Sequence, residues 1–170
     1  MSRAFVKEED SDAIEELPDK PVSPHPNYVT PAGLRQLQRR LADCLAQEQA
    51  LKQRNDLNAR QELPLIRQEI RYLEKRIGSA IVVDPATQPR DRVAFGTTVE
   101  VEDETGARHT FQIVSEDEAD ARHGKISWVS PLARALRDAE VGDVVVWRRP
   151  TGDLALEVIA ISQSDDAPLS

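Results

Sequence analysis

The sequence predicts an α+β chain: an antiparallel helical hairpin followed by a small antiparallel sheet that carries one short helix. Three observations lead there. Apolar residues recur at spacings of three and four between residues 31 and 80, and they alternate with polar ones in several short runs after residue 97. The change of period coincides with a change of charge. Residues 31–83 hold ten Lys and Arg against six Asp and Glu, a net of +4. Residues 1–30 (three against seven) carry −4, and residues 84–170 (nine against seventeen) carry −8. A basic segment between acidic flanks favours a surface that meets an anion, with an Arg-rich solvated helix face as the plainer alternative.

Composition excludes several classes. With 39% apolar residues in 170 the chain can bury a core, and with 4% aromatic that core is mostly aliphatic. A net charge of −8 rules out a cationic coat over the whole chain. The single cysteine, Cys44, rules out a disulfide framework and a Cys-based zinc site, and suits a reducing compartment. No apolar run approaches the ~18 residues that cross a bilayer, and the acidic first twenty residues lack the apolar stretch of a signal peptide. A soluble, cytoplasmic protein is expected, with no membrane partner.

The elements follow in chain order. Residues 1–29 contain Glu8-Glu9-Asp10 and Glu15-Glu16, then prolines at 18, 21, 24 and 26. Such a stretch has too little apolar surface to offset the entropy of ordering it, so it reads as a disordered or extended arm. Its charge could hold it against the basic hairpin as an autoinhibitor. The hairpin occupies residues 30–83. Thr30-Pro31 is a hydroxyl N-cap followed by proline at the first helical position. Leu34, Leu37, Leu41, Cys44, Leu45 and Leu51 then give a helix over 31–53. Leu63, Ile66, Ile70, Leu73, Ile77 and Ala80 step by three and four like the seam of a coiled coil, with Arg67, Arg71, Lys75 and Arg76 off it. Pro64 belongs in a first turn, since deeper it costs ~3 kcal/mol. The second helix is therefore expected over 63–78, stopped by Gly78, with a turn at 54–62.

A linker is expected at 84–92 and a sheet domain at 93–162, with a tail at 163–170. Strands are predicted at 98–102, 109–114, 125–129, 143–147 and 154–161, with turns at Asp103-Glu104-Thr105-Gly106 and Pro150-Thr151-Gly152-Asp153. Ser130-Pro131 repeats the cap-plus-proline signal and starts a short helix through Leu132, Ala135 and Leu136. His25, His109 and His123 show no metal-ligand spacing. Cys44 falls on the seam as a packed small side chain, and Trp128 and Trp147 pack the sheet.

Ile126-Ser127-Trp128-Val129-Ser130-Pro131-Leu132-Ala133-Arg134-Ala135-Leu136, followed by Val141-Gly142-Asp143, resembles the C-terminal signature of bacterial GreA/GreB transcript cleavage factors. Val93 to Val99, residues 111–120 and Ile81-Val82-Val83-Asp84 are similar to the same family, and the likeness runs in order over residues 28–161. The resemblance implies a helical hairpin joined to a domain of FKBP-like fold. It implies a partner, RNA polymerase, gripped at the rim of its secondary channel by Val129, Ser130, Pro131 and Arg134. It also implies that the hairpin enters that channel beside the polymerase's Mg²⁺ ions and stimulates hydrolysis of a backtracked transcript by the polymerase itself. The protein alone would then be neither an enzyme nor a metal binder, and would act as a monomer. Arg67, Arg71 and Lys75 would meet phosphates of the nascent RNA near its 3′ end.

The family tip reads Asp-Leu-x-Glu-Asn-Ala-x-Tyr, with the Asp and Glu as the working pair. This chain reads Asn55-Asp56-Leu57-Asn58-Ala59-Arg60-Gln61-Glu62. Asp56-Leu57 and Asn58-Ala59 match, while the x-Glu between them and the tyrosine are missing. Asp56 takes the aspartate's place, and Glu62 is the nearest stand-in for the glutamate, six residues on instead of three. Each arm is also about a heptad shorter than the family pattern, ~10 Å less reach. Asp56 is equally well read as a turn residue, and Glu62 more readily as a first-turn carboxylate that favours the helix dipole. Val129 stands where an acid or amide often precedes the family's Ser-Pro. Two functions follow: a cleavage-stimulating factor, or a channel regulator that binds polymerase without supplying tip acids. A stand-alone prolyl isomerase would need an aromatic-lined pocket, for which seven aromatics leave little material.

Overall fold

A computed structural model describes residues 16–163. The expectations for residues 1–15 and for most of the tail lie outside that range. The described chain divides into two compact units: one combines residues 16–24 with Leu37–Ser79, the other joins His25–Gln36 to residues 80–163.

The first unit holds most of a helical hairpin, whose first helix starts within the second. Helix α1 spans Pro31–Gln53 and α2 spans Leu57–Gly78. The start of α1 follows from Thr30, whose hydroxyl accepts from the Gly33 N–H at 2.9 Å and whose carbonyl takes the Leu34 N–H. The second helix begins six residues earlier than expected, so the turn is residues 54–56 alone. Asp56 caps it, accepting from the Ala59 N–H at 2.8 Å, and Pro64 becomes the eighth helical residue. Proline there removes the bond to the Arg60 carbonyl. What overrides it is packing near the tip: Ala59 and Leu63 are buried with Leu51 from α1, and Ile66 lies against them. Ile70 and Leu73 continue the buried stripe. Arg76, read as lying off the seam, is buried as well, at 3% exposure.

Within the same unit, residues 16–24 form no helix or strand and run beside α2. Across the hairpin, Arg67 meets Glu48 at 3.2 Å and Arg40 meets Glu69 at 2.6 Å.

The second unit holds two sheets. Strand β1 (Tyr28–Val29) pairs in parallel with β2 (Ile81–Val82), in the register Tyr28↔Ile81. The main sheet contains β3 (Thr97–Asp103), β4 (Arg108–Val114), β5 (Lys125–Ser127), β6 (Val144–Trp147) and β7 (Leu154–Gln163), in the order β5-β4-β3-β7-β6. The pairs are antiparallel except β4 with β5, which run parallel from Gln112↔Lys125. Gly124 makes that return possible: it sits at φ +70, and a Cβ there would stand 2.5 Å from the Thr110 carbonyl oxygen.

Helix α3 (Pro131–Leu136) covers the sheet. Leu132, Ala133 and Leu136 are buried with Val99, Val101, Ile113, Leu156 and Val158. The core is aliphatic, as the composition predicts, with aromatic rings around it. Phe95, Phe111, Trp128 and Trp147 are only partly buried against it. The region expected as a linker contains a 3-10 turn, Pro85–Thr87, whose Asp84 cap accepts from Ala86 N–H and whose Pro85 is buried.

Candidate functional site

Three places carry the residues singled out by the sequence. The first is the hairpin tip. Asp56 faces solvent with half its side chain exposed, and its neighbour Leu57 is 68% exposed. One Asp56 oxygen takes the Ala59 N–H, and both oxygens accept from the Arg54 guanidinium, at 3.0 and 3.1 Å. The backbone donor first, and then Arg54, hold the carboxyl below its ordinary range, so it stays ionised at neutral pH. Glu62 is exposed, at the sixth position of α2. Six residues on a helix are about 9 Å of rise and about 240° of rotation, so Asp56 and Glu62 are not brought together. Among the described residues no three His, Cys, Asp or Glu side chains gather as a metal site. The tip thus offers one carboxylate, available to a cation once Arg54 swings aside.

The second place is the basic flank of α2. Arg67 is committed to Glu48 across the hairpin. Arg71 and Lys75, one helical turn apart, both reach Asp19 of the arm, at 2.6 and 2.7 Å. All three cations proposed for phosphate therefore have a carboxylate beside them. Asp19, which the sequence reading did not single out, is held below the usual carboxylate range by Lys75 first and by Arg71 next. The missed signal is a carboxylate set among prolines opposite cations at an i, i+4 spacing.

The third place is a groove of about 700 Å³ in the second unit. Tyr28 packs edge-on to Trp128 with ring centroids 5.1 Å apart, and it tilts against Phe95 at 6.1 Å. His25 adds an edge contact to Trp128 at 5.9 Å. Val129 lines the groove together with Arg92, Arg134 and Arg137. The local fold explains the placement. A tight turn, closed by the Ser130 N–H to Ser127 carbonyl bond at 2.9 Å, carries Trp128 and Val129. Ser130 then caps α3, its hydroxyl accepting from the Ala133 N–H at 3.2 Å, and α3 presents Arg134 in its last turn. Pro131, at the first position of α3, is exposed. Of the four residues proposed for polymerase, the structure brings Val129 and Arg134 to one groove, with Ser130 building the turn between them. Tyr28, Arg92 and Arg137 were not foreseen as part of it.

The remaining candidates serve local structure. His109 pairs with Asp103 at 3.0 Å and His123 with Asp120 at 2.6 Å. Cys44 is partly buried on α1, and that burial pushes its thiol up.

Comparison with known proteins agrees with the sequence likeness. Residues 88–163 match the family described as transcription elongation factor, GreA/GreB, C-term. Transcription elongation factor GreB of Neisseria meningitidis is 35% identical over an alignment 151 residues long that covers 79% of this chain and 93% of the relative. GreA of Thioalkalivibrio sulfidiphilus is 43% identical and GreA of Pseudomonas syringae pv. tomato 45% identical, each over 105 residues. These two alignments take in 61% of this chain and 66% of each relative. The GreB alignment is long enough to include the hairpin as well as the sheet, and with it the chain belongs to the GreA/GreB family of transcription elongation factors.

Proposed function

We propose that this chain binds RNA polymerase through the groove around Trp128 and α3, enters the secondary channel with its hairpin, and stimulates the polymerase's own cleavage of backtracked transcripts. The observation that carries the reading is the tip: an exposed, ionised Asp56 beside an exposed Leu57, mounted on the N-terminus of a packed helix. A carboxylate fixed by its own cap meets the demand for positioned charge, because misplacement by an ångström is costly. The Mg²⁺ involved belongs to the polymerase, whose site supplies the activated water. This chain contributes charge and position, so it is not itself an enzyme and holds no metal. Arg67, Arg71 and Lys75 are the candidates for phosphates near the RNA 3′ end. The groove has the composition of a protein interface, aromatic within and Arg-rimmed, and a single copy of the chain works where polymerase works, in the cytoplasm.

One observation favours a second reading. Glu62 lies well away from Asp56 around the helix, so the tip carries one acid where the family pattern has two. With one acid, the chain would occupy the channel and regulate polymerase without stimulating cleavage. The test adds the purified protein to a stalled, backtracked polymerase complex with labelled RNA. Faster shortening that Asp56→Asn abolishes supports the cleavage reading. No acceleration, with polymerase binding intact by competition against a known GreB, supports the regulator.

A further inference from the structure

The acidic arm lies along the very cations that the proposed function assigns to RNA. Asp19 spans two of them: Oδ1 accepts from Arg71 Nε at 2.6 Å and Oδ2 from Lys75 Nζ at 2.7 Å. Glu16 brings a second carboxylate to Arg71, 3.4 Å from Nη1. The third guanidinium nitrogen donates to the Leu17 carbonyl at 2.6 Å, and Gln68 Nε2 donates to the Pro18 carbonyl at 2.7 Å. At the far end Lys20 pairs with Glu69 and lies 4.8 Å above the centre of the Tyr72 ring. One guanidinium is thus surrounded by anionic and carbonyl oxygens supplied by a single short segment. Planar, forked recognition of this kind suits phosphate as well as it suits carboxylate.

We propose that residues 16–20 are an intramolecular substitute for a phosphodiester strand. In the free protein this acidic strap occupies Arg71 and Lys75, and it yields them to single-stranded RNA. Only the choice of RNA as the displacing anion rests on the function proposed above; the occupancy is read from the contacts themselves.

The strap is built to be displaced. Asp19 is 46% and Lys75 50% exposed, and ion pairs at that exposure are weak one by one and screened by salt. What keeps the strap in place is covalent attachment, which sets its effective concentration near the millimolar range. Prolines at 18 and 21 also limit the conformations it loses on docking. RNA free in solution therefore competes poorly. A transcript held at high local concentration competes well, so the basic flank is discriminating against stray polyanions. Apparent affinity for RNA falls by the fraction of time the strap is off.

The test uses the full chain without polymerase and follows anisotropy of a short, labelled oligouridine RNA across a salt series. The Glu16→Gln/Asp19→Asn variant is expected to bind about tenfold more tightly than the native chain. Its log-affinity should fall with log salt more steeply by about 1.4, the value for two additional phosphate contacts on a single strand. Adding Arg71→Ala and Lys75→Ala to that variant should return affinity to the native level. Asp153→Asn/Glu157→Gln, which removes the same charge from the sheet, should leave affinity unchanged. Equal affinity and slope for native and strap-neutralised chains, including no binding by either, overturns the inference. So does a gain that survives loss of Arg71 and Lys75, or one that the sheet control reproduces. Because the readout is RNA binding in the absence of polymerase, it can fail while cleavage stimulation succeeds, or the reverse.

Discussion

Asp56 caps α2 and, in the function proposed, also supplies charge at the tip, and substitutions can separate the two. As the N-cap of α2 it accepts the Ala59 N–H, a bond that asparagine can also accept and alanine cannot. As a charge it is lost in both. Asp56→Asn should keep the melting temperature and remove cleavage stimulation, whereas Asp56→Ala should lower both, as thermal unfolding beside the transcript assay will show. Thr30 is a more severe case because it is fully buried. Its hydroxyl donates to Glu118 at 2.7 Å while accepting from Gly33. Thr30→Val removes a buried hydrogen bond to a carboxylate and the cap on a helix N–H together, and denaturant titration should find a loss of about 2–4 kcal/mol. Asp103 gives a pH signature. The Thr105 hydroxyl first, then His109, and then the Thr105 and Ala107 N–H groups hold its carboxyl far below the ordinary 3.8. A depressed folded-state value means stability that is present above the unfolded value and lost as pH falls through the folded one. Melting temperature should therefore drop more steeply below pH ~4 for the native chain than for Asp103→Asn.

At the scale of elements, the hairpin shows where local rules yield to packing. The first helix was legible to its ends because Thr30-Pro31 is a strong local start and the Leu spacing sustains it. The second was not, since a rule about proline placed Pro64 in a first turn. Burial of Ala59 and Leu63 against Leu51 draws in another six residues, and a periodicity search over one run cannot register a contact made with the other helix. Pro64→Ala should restore the missing bond to the Arg60 carbonyl, stabilise the hairpin by about 1–2 kcal/mol and increase hydrogen-exchange protection at residues 60–64. In the sheet, strand positions were legible from alternation, but strand direction was not. The parallel β4–β5 pair depends on a return through Asp120 to Gly124 that no period encodes. The arm was legible in part: its charge pointed to the basic hairpin, but no local pattern singles out Asp19 as the residue that Arg71 and Lys75, fifty residues away, would hold.

For the molecule as a whole, the alternation of charge along the chain has a structural meaning that a net −8 conceals. The acidic arm and the basic hairpin meet within one unit, while the second unit gathers Arg92, Arg134 and Arg137 around aromatic rings in an otherwise acidic half. Part of this site was legible, because Ser130-Pro131 marks the turn that presents Trp128 and Val129. Tyr28 was not, since it joins the groove from the other side of the hairpin in sequence. Arg134 is exposed, so Arg134→Glu should leave unfolding unchanged and weaken polymerase binding about tenfold or more in a competition assay. Among the described residues no helix is long and apolar enough to cross a membrane.

The short ribbon of Tyr28–Val29 with Ile81–Val82 joins the chain just before α1 to the chain just after α2. Everything between those two points is a detour that leaves and returns at a fixed address. Seven residues can be added to or taken from each helix, moving the tip by about 10 Å, without altering a single partner in the ribbon's register. Reach and mount are thus separate dials. A hairpin lengthened or shortened in this way leaves the pairing of Tyr28–Val29 with Ile81–Val82 as it is.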